Sequence, residues 1–214
     1  MKKLLSFILV LAALLALDAA AFAATEWELD PRAEIDGNTA RLTCGPELYI
    51  KSDEYCAERE RFSLRGICGS WETGPVTVRL FRVVVSDYTL KKYTDLSFLK
   101  TDLQLNKEAA VVSLQVQYTN NSEEDLYVCP SQALFSADDG APLQRDLYLS
   151  TGSLSPVRFM SPGETALDVL AFVSYDFEAK DLKAFNCSSP APVRADLTPV
   201  AEPLRLRIEL LHAS

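Results

Sequence analysis

Five cysteines are the residues of this chain whose type and spacing most directly suggest chemistry. Cys44, Cys56 and Cys68 follow one another at intervals of twelve residues, whereas Cys129 and Cys187 lie in the second half of the chain. Two chemistries use cysteines in this way: disulfide formation in an oxidising compartment, and metal binding through thiolates. The sequence has no CxxC pair and only one histidine, so disulfides are favoured over a zinc site.

The odd number of cysteines leaves one thiol free or available to join two chains. We expect Cys129 to pair with Cys187, because both end β-patterned segments and both precede loop-like sequence. Within the first group we favour Cys44 with Cys68, which together bracket a charged segment. Pairing of Cys56 with either of these two stays open, since spacing does not determine connectivity.

Residues that could support catalysis are few. His212 is the only histidine and lies near the end of the chain, where residues are often mobile. A Ser-His-Asp or Cys-His arrangement would have to use it, so we expect a non-catalytic role. Paired carboxylates or a Ser-Lys pair would need no histidine, but spacing distinguishes no such pair. The sequence also lacks a glycine-rich phosphate loop, so neither an enzyme nor a cofactor is expected.

Two acidic turns are candidates for calcium binding through oxygen ligands. They are Glu123-Glu124-Asp125 and Asp138-Asp139-Gly140, and neither matches the full twelve-residue calcium loop. Solvated turns are therefore the preferred interpretation, and no metal is expected. Asn120-Asn121-Ser122 fits a glycosylation sequon, but it also suits a turn that ends a strand, and we prefer the turn.

The first residues predict the compartment. Lys2 and Lys3 lead into an apolar run, Leu4 to Leu17, that ends at the small-x-small signal Ala21-Phe22-Ala23. This is typical of a signal peptide, here residues 1–23, so we expect a bacterial protein that is secreted or periplasmic and not inserted in the membrane after cleavage. The formal charge of −9 makes binding to nucleic acid unfavourable.

The elements that would position these residues are mostly strands. Apolar and polar residues alternate, or apolar residues continue, in short runs separated by turn sequences. Asp36-Gly37-Asn38 predicts a hairpin, and Pro162-Gly163 a type II turn. The main runs are Val76–Leu80, Val112–Tyr118, Ala166–Val173 and Leu204–Leu210. Together they predict an all-β fold, an immunoglobulin-like β-sandwich over residues 76–214.

Residues 24–75 differ in composition from the rest of the chain. They contain three cysteines together with Trp27 and Trp71, which we expect to pack in a core. The polar segment Ser52–Phe62 suggests one short helix or an exposed loop. The turn signal Gly74-Pro75 then precedes the β-patterned region, so we predict a small, separate cysteine-containing N-terminal unit.

Residues 76–187 resemble a family of bacterial secreted immunoglobulin-like domains of unknown function, DUF4352-like and related to immunogenic secreted mycobacterial antigens. Three segments carry the resemblance: Leu114–Ser122, Phe135–Gly140, and Ser161–Glu164 with the strand that follows through Val173. The resemblance implies an immunoglobulin-like sandwich. It implies no functional residues, because the family has no agreed catalytic set.

Three functions are consistent with these features. The first is an exported, non-enzymatic binding module that recognises a protein or a cell-envelope component, which we favour by analogy with the fold. The second is a structural or assembly accessory of the envelope. The third is a hydrolase that needs no histidine. An exposed apolar patch would favour the first two, whereas a deep pocket with converging carboxylates would favour the third.

Overall fold

The computed structural model describes residues 28–44, 48–92, 104–138, 144–150 and 157–212, with the backbone alone for 144–150. The predicted signal peptide, Trp27 and Asp139-Gly140 lie outside these residues. Among the described residues, none of the helices is long and apolar enough to cross a bilayer.

The described chain forms thirteen strands and two single-turn 3-10 helices, at Pro130–Gln132 and Ala179–Asp181. The strands are β1 Ala33–Asp36, β2 Thr39–Thr43, β3 Ile50–Ser52, β4 Cys56–Thr73, β5 Val76–Leu90, β6 Glu108–Asn120, β7 Leu126–Val128, β8 Leu134–Ala137, β9 Gln144–Ser150, β10 Arg158–Met160, β11 Thr165–Ser174, β12 Ala184–Ser189 and β13 Leu204–Leu211. This confirms the prediction of an all-β fold.

Two large sheets pack as a sandwich, and a small third sheet lies beside them. The five-stranded sheet has the order β1-β2-β13-β12-β8, and the six-stranded sheet has the order β3-β4-β5-β6-β11-β9. The two-stranded sheet pairs β10 with β7. Neighbouring strands are antiparallel except β2 and β13, which run parallel.

The core lies between the inner faces of the two large sheets. In β6, Leu114 and its alternate neighbours face inward, while Gln115 and its alternate neighbours face outward, as the period-2 pattern predicted. Phe172 of β11 stacks on Phe135 of β8 at 4.2 Å between ring centroids, so aromatic rings from both sheets meet. Trp71 is buried in this core, as predicted.

Both predicted turns are present. The β1–β2 hairpin turns at Gly37-Asn38, and Gly37 has a φ of 56° that favours glycine. Gly163 has a φ of 73°, and the amide of Glu164 donates to the carbonyl of Ser161 at 3.0 Å. This is the geometry of a type II turn with proline at its second position.

The prediction of a helix or exposed loop for Ser52–Phe62 was wrong. The segment supplies the end of β3 and the start of β4, and this part of β4 pairs with β5. Its charged residues are held by the sheet: Glu58 accepts a hydrogen bond from Ser86 at 3.1 Å, and Glu60 accepts one from the amide of Tyr49 at 3.1 Å. These cross-strand partners explain why a polar segment is a strand.

The predicted boundary at residue 75 falls in the turn between β4 and β5. Pairing extends from Thr73↔Val76 at the turn to Cys56↔Leu90 at the far end, with bulges at Arg61 and at residues 66–68. The hairpin β1–β2 joins the other sheet through β13. The described part of residues 24–75 therefore supplies strands to both sheets instead of forming a separate unit.

Candidate functional site

All five cysteines lie within the described residues, which contain no disulfide bond. Cys187 is buried in β12, and burial raises the pKa of its thiol to about 12. Cys129 is half-buried between β7 and the first 3-10 helix, and burial also raises its pKa. The pairings Cys129–Cys187 and Cys44–Cys68 stay predictions.

Cys44 and Cys68 lie near one arginine. Cys44 follows β2 in the five-stranded sheet, and Cys68 lies in β4 of the six-stranded sheet. The pKa of Arg32 is raised first by its hydrogen bond to Asp30 and further by the charges of both sulfurs. Burial raises the pKa of Cys68 to about 12, and its sulfur lies 3.3 Å from the carbonyl of Gly66. The neighbours of both cysteines bind the segment 30–32: the amide of Thr43 donates to the carbonyl of Arg32 at 2.8 Å, and the amide of Asp30 donates to the carbonyl of Ile67 at 2.9 Å.

The histidine and the two acidic turns contact neighbouring side chains of the sandwich. His212 is exposed, and its ring meets the edge of Phe62 at 6.2 Å between centroids. Asp138 pairs with Arg207, and Glu124 pairs with Arg194 at 2.6 Å. The described residues contain no cluster of three His, Cys, Asp or Glu side chains that could hold a metal ion.

A polar cavity of about 210 Å³ lies at the end of β11. Its described lining is Gln104, Lys107 and the segment 173–176. The Lys107 ammonium lies 4.3 Å from the ring centroid of Tyr175, a cation–π contact, and the Tyr175 hydroxyl accepts a hydrogen bond from the amide of Gln104. Asp176 is the one carboxylate among the described residues of this lining.

A line of apolar and aromatic side chains extends across the small sheet. Phe159 of β10 lies opposite Tyr127 of β7, which lies opposite Val193, which in turn lies opposite Pro199. Directly opposite residues of a β-ladder project to the same side, so these four form one row, here called the aromatic ladder. The rings of Tyr127 and Phe159 meet at 5.4 Å between centroids. The alternate residues of β7 and β10 are buried beneath the row: Leu126, Val128 and Met160.

Leu197 stands at the tip of the turn beside the aromatic ladder. It is 76% exposed, and its φ is 66°, a conformation that L-residues rarely adopt. Two backbone hydrogen bonds of 3.0 Å hold the turn, from Leu197 to Arg194 and from Arg194 to Thr198. Such strained positions cost about 1–3 kcal/mol and cluster at functional sites.

Asn120 positions the aromatic ladder. Its side chain is fully buried and donates to the carbonyls of Glu124 at 2.8 Å and Met160 at 3.1 Å. Its amide oxygen accepts from the backbone and hydroxyl of Ser122. One side chain therefore ties the end of β6, the following loop and β10 together. The sequence predicted a turn at this residue but not this buried role.

The outer surface of the six-stranded sheet carries a second group of polar side chains. Arg65, Arg82 and Gln115 lie directly opposite one another across β4, β5 and β6, and Arg79 lies opposite Gln117 in the next row. We call these five residues the arginine face. The Arg79 guanidinium donates to the Gln117 side chain at 3.4 Å.

Glu60 is the acidic residue that the ion pairs place among these arginines. Its carboxylate lies 3.0 Å from Arg65 and 3.8 Å from Arg82, and its side chain is 2% exposed. Gln115 is 8% exposed, and its side-chain nitrogen has no hydrogen-bond partner in the described part of the chain. Glu60 therefore offsets part of the positive charge of the arginine face.

The outer surface of the five-stranded sheet carries a different arrangement. Opposite charges alternate from one edge to the other: Asp36 to Arg41 at 3.7 Å, Arg41 to Glu209 at 3.1 Å, and Glu209 to Arg207 at 3.0 Å. Arg207 continues the row to Asp138. We call this row the charge ladder. Its hydrogen bonds hold the pKa of Glu209 below its usual value, with Arg207 as the main cause.

Comparison with known proteins supports the fold and leaves function open. No protein family and no curated protein matches the chain. A functionally unknown protein of Listeria monocytogenes is similar in structure, with a TM-score of 0.53 and 16% identity over 77% of this chain and 90% of its own. At this identity the similarity establishes the fold alone.

Two structures from Bacillus subtilis are more distantly similar. A candidate lipoprotein has a TM-score of 0.41 and 14% identity, over 65% of this chain and 38% of its own. The yjhA protein has a TM-score of 0.42 and 8% identity, over 69% of this chain and 99% of its own. The structural relatives are thus bacterial proteins, and membership of the DUF4352-like family stays a prediction.

Proposed function

We propose that this protein is an exported, non-enzymatic binding module that recognises a protein or a cell-envelope component. The observation that supports this is the aromatic ladder, with the exposed Leu197 at its end. Aromatic side chains are enriched at protein interfaces because they bury large areas with little loss of conformational freedom. Export rests on the N-terminal segment, residues 1–23.

The ladder suits binding because a rigid frame holds it. Leu126 and Met160 anchor its strands in the core, and Asn120 joins those strands to the end of β6. A surface that is already ordered loses little entropy when a partner binds. Phe159 is the ring that projects furthest into solvent, at 45% exposure, so we expect it to contribute most to the contact.

Crosslinking in the native envelope tests the proposal. A photoreactive amino acid would replace Phe159 in one preparation and Leu134 in another. Leu134 is a matched control, since it is an exposed apolar residue on β8, at the edge of the five-stranded sheet. We expect one defined partner to be crosslinked from position 159 and not from position 134.

Substitutions then measure how much Phe159 contributes to binding of the crosslinked partner. Phe159→Ser should reduce recovery of that partner roughly tenfold or more, since truncating an interface anchor often costs over 1.4 kcal/mol. Leu134→Ser should leave recovery unchanged, and thermal melts should show that both variants fold. Equal recovery by the two variants would contradict the proposal, as would turnover of an envelope substrate by the purified protein.

A further inference from the structure

The carboxylates around the aromatic ladder indicate the chemistry of its partner. We infer that the ladder and these carboxylates together bind a segment of a partner protein that carries lysine or arginine side chains. This assignment of a basic partner rests on the proposed function, which gives the ladder its binding role. It narrows that function from a protein or an envelope component to one class of polypeptide.

Exposed carboxylates lie in each of the three segments that form the aromatic ladder. The segments are 121–128, 157–164 and 192–200, and the structure describes all of them. Their exposed acidic residues are Glu123, Glu124, Asp125, Glu164 and Asp196. The amide of Thr198 donates to Asp196 at 2.9 Å and holds the pKa of that carboxyl below its usual value, so Asp196 is charged at neutral pH.

The two cations of the same segments have acidic partners within the protein. Arg194 pairs with Glu124 at 2.6 Å. Arg158 pairs with the fully buried Asp168 of β11 at 3.0 Å. These pairs use one exposed carboxylate of the ladder segments and leave the others in excess. The border of the ladder is therefore acidic after its own arginines are counted.

The adjacent strands β4 and β5 do not reverse this balance. The Asn121 side chain donates to the Thr77 hydroxyl at 2.7 Å, and that hydroxyl donates to the Glu72 carboxylate at 2.8 Å. Arg79 lies two residues further along β5 and donates to Gln117 on the arginine face. These strands thus add one carboxylate and one guanidinium, and the acidic excess of the ladder segments remains.

Lysine and arginine side chains match this combination of groups. Each has an apolar stem that packs on aromatic and aliphatic surfaces, and a cationic head that carboxylates bind. Phe159 is 45% exposed and can contact a stem, or a head through a cation–π interaction, while Asp125 lies only two residues from Tyr127. An anionic envelope polymer would be repelled by the same carboxylates and by the formal charge of −9. Charge complementarity therefore favours a basic protein segment.

Peptide binding to the mature chain tests the inference. Three labelled peptides of equal length repeat Lys-Pro-Leu, Gln-Pro-Leu or Glu-Pro-Leu, and proline keeps all three extended. Fluorescence anisotropy should show that the lysine peptide binds about fivefold or more tightly than the glutamine peptide, with the glutamate peptide weakest. Equal binding of the lysine and glutamine peptides would overturn the inference. Tighter binding of the glutamate peptide, or no binding of any peptide, would also overturn it.

Carboxylate variants locate the site. Glu123→Gln combined with Asp125→Asn should weaken binding of the lysine peptide about fivefold, the loss expected for two exposed ion pairs. The matched control is Glu34→Gln combined with Asp36→Asn, which removes two exposed carboxylates from β1 and should leave affinity nearly unchanged. Thermal melts should show that both double variants fold. An equal loss of affinity in the two would show a general charge effect and would overturn the assignment.

Charge reversal and crosslinking complete the test. Glu123→Lys combined with Asp125→Lys should shift the preference from the lysine peptide to the glutamate peptide, and an unchanged preference would contradict the role of these carboxylates. Crosslinking from position 159 separates this inference from the proposed function. A partner crosslinked through a segment without lysine or arginine would overturn the basic partner and keep the function. Absence of any crosslinked partner would overturn the function itself.

Discussion

The outer faces of the two sheets both carry arginines, but their charges are balanced differently. On the five-stranded sheet, the charge ladder alternates Arg41 and Arg207 with carboxylates from edge to edge. On the six-stranded sheet, Arg65 and Arg82 share the single carboxylate of Glu60. The first surface alternates opposite charges along one row, whereas the second places two arginines around one buried carboxylate.

This difference indicates where the chain accepts a local energetic cost. Exposed ion pairs contribute little to stability, so the charge ladder mainly keeps the sheet surface polar and its edge strands hydrated. Clustered arginines are unfavourable unless a counter-charge lies nearby, and buried Glu60 supplies one to Arg65 and Arg82.

Removal of the buried ion pair on the inner face of the six-stranded sheet should change the free energy of unfolding most. The losses from variants on the two outer faces can be compared with it. Arg158 contacts Asp168 at 3.0 Å, and the Asp168 side chain is fully buried. Asp168→Ala should destabilise the protein by about 3–5 kcal/mol, because it strands a largely buried cation. Urea denaturation measures the loss. The control is Arg158→Met combined with Asp168→Leu, which should recover most of the stability; no recovery would contradict the electrostatic explanation.

A disulfide bond between Cys44 and Cys68 would connect the two sheets directly. Its loss should give the next largest decrease in the free energy of unfolding. We predict that the oxidised protein contains this bond and that reduction costs about 3 kcal/mol, the chain-entropy value for a loop of this size. Melting with and without reductant measures it. The Cys44→Ser and Cys68→Ser double variant should match the reduced protein. Recovery of both cysteines as separately alkylated peptides from oxidised, folded protein would refute the bond.

Removing Glu60 would make the two outer faces differ even more. Glu60→Gln should cost about 1–3 kcal/mol, because it weakens charged hydrogen bonds to Arg65 and to the amide of Tyr49. Urea denaturation measures the loss. Arg41→Ala, which removes an exposed ion pair of the charge ladder, is the matched control and should cost less. An equal loss in the two variants would contradict the role given to burial of Glu60.

A substitution in the charge ladder should have the smallest effect on stability. Arg41→Ala should shift the melting temperature by less than about 3 °C at neutral pH, as expected for an exposed ion pair. The folded-state pKa of Glu209 lies below its usual value of 4.5. Its stabilising contribution is therefore present above about pH 4.5 and is lost as the pH falls through the lower folded value. Melts across this range would contradict the interpretation if Arg41→Ala were most destabilising in acid.

The sequence predicted the elements whose conformation depends only on residues close together in the chain. Alternation in β6 and the turns at Gly37 and Gly163 follow from side-chain period and backbone conformation, and all three were confirmed. The segment Ser52–Phe62 was misinterpreted because its charged residues are satisfied by the amide of Tyr49 and by Ser86 on β5, which local sequence does not reveal. Turn residues at 74–75 signalled a change of direction and not a boundary between units.

The candidate surfaces were harder to predict, because they exist only through strand pairing. Arg65, Arg82 and Gln115 are separated along the chain and become neighbours only in the register of β4, β5 and β6. Outward-facing polar residues in β6 were the available signal, but alternation alone cannot show which strand lies beside them. The aromatic ladder likewise joins Tyr127 to Val193 by a bridge that no local pattern specifies.

The parallel pairing of β2 with β13 has a consequence for how the chain folds. β13 lies in the middle of the five-stranded sheet, between the N-terminal hairpin and β12, yet it is the last strand of the described chain. During synthesis from the N-terminus, the β1–β2 hairpin emerges early, but the other edge of β2 has no partner strand until Leu204–Leu211 follows. Such distant contacts make folding slow. The five-stranded sheet should therefore close late, after the strands of the six-stranded sheet have been synthesised.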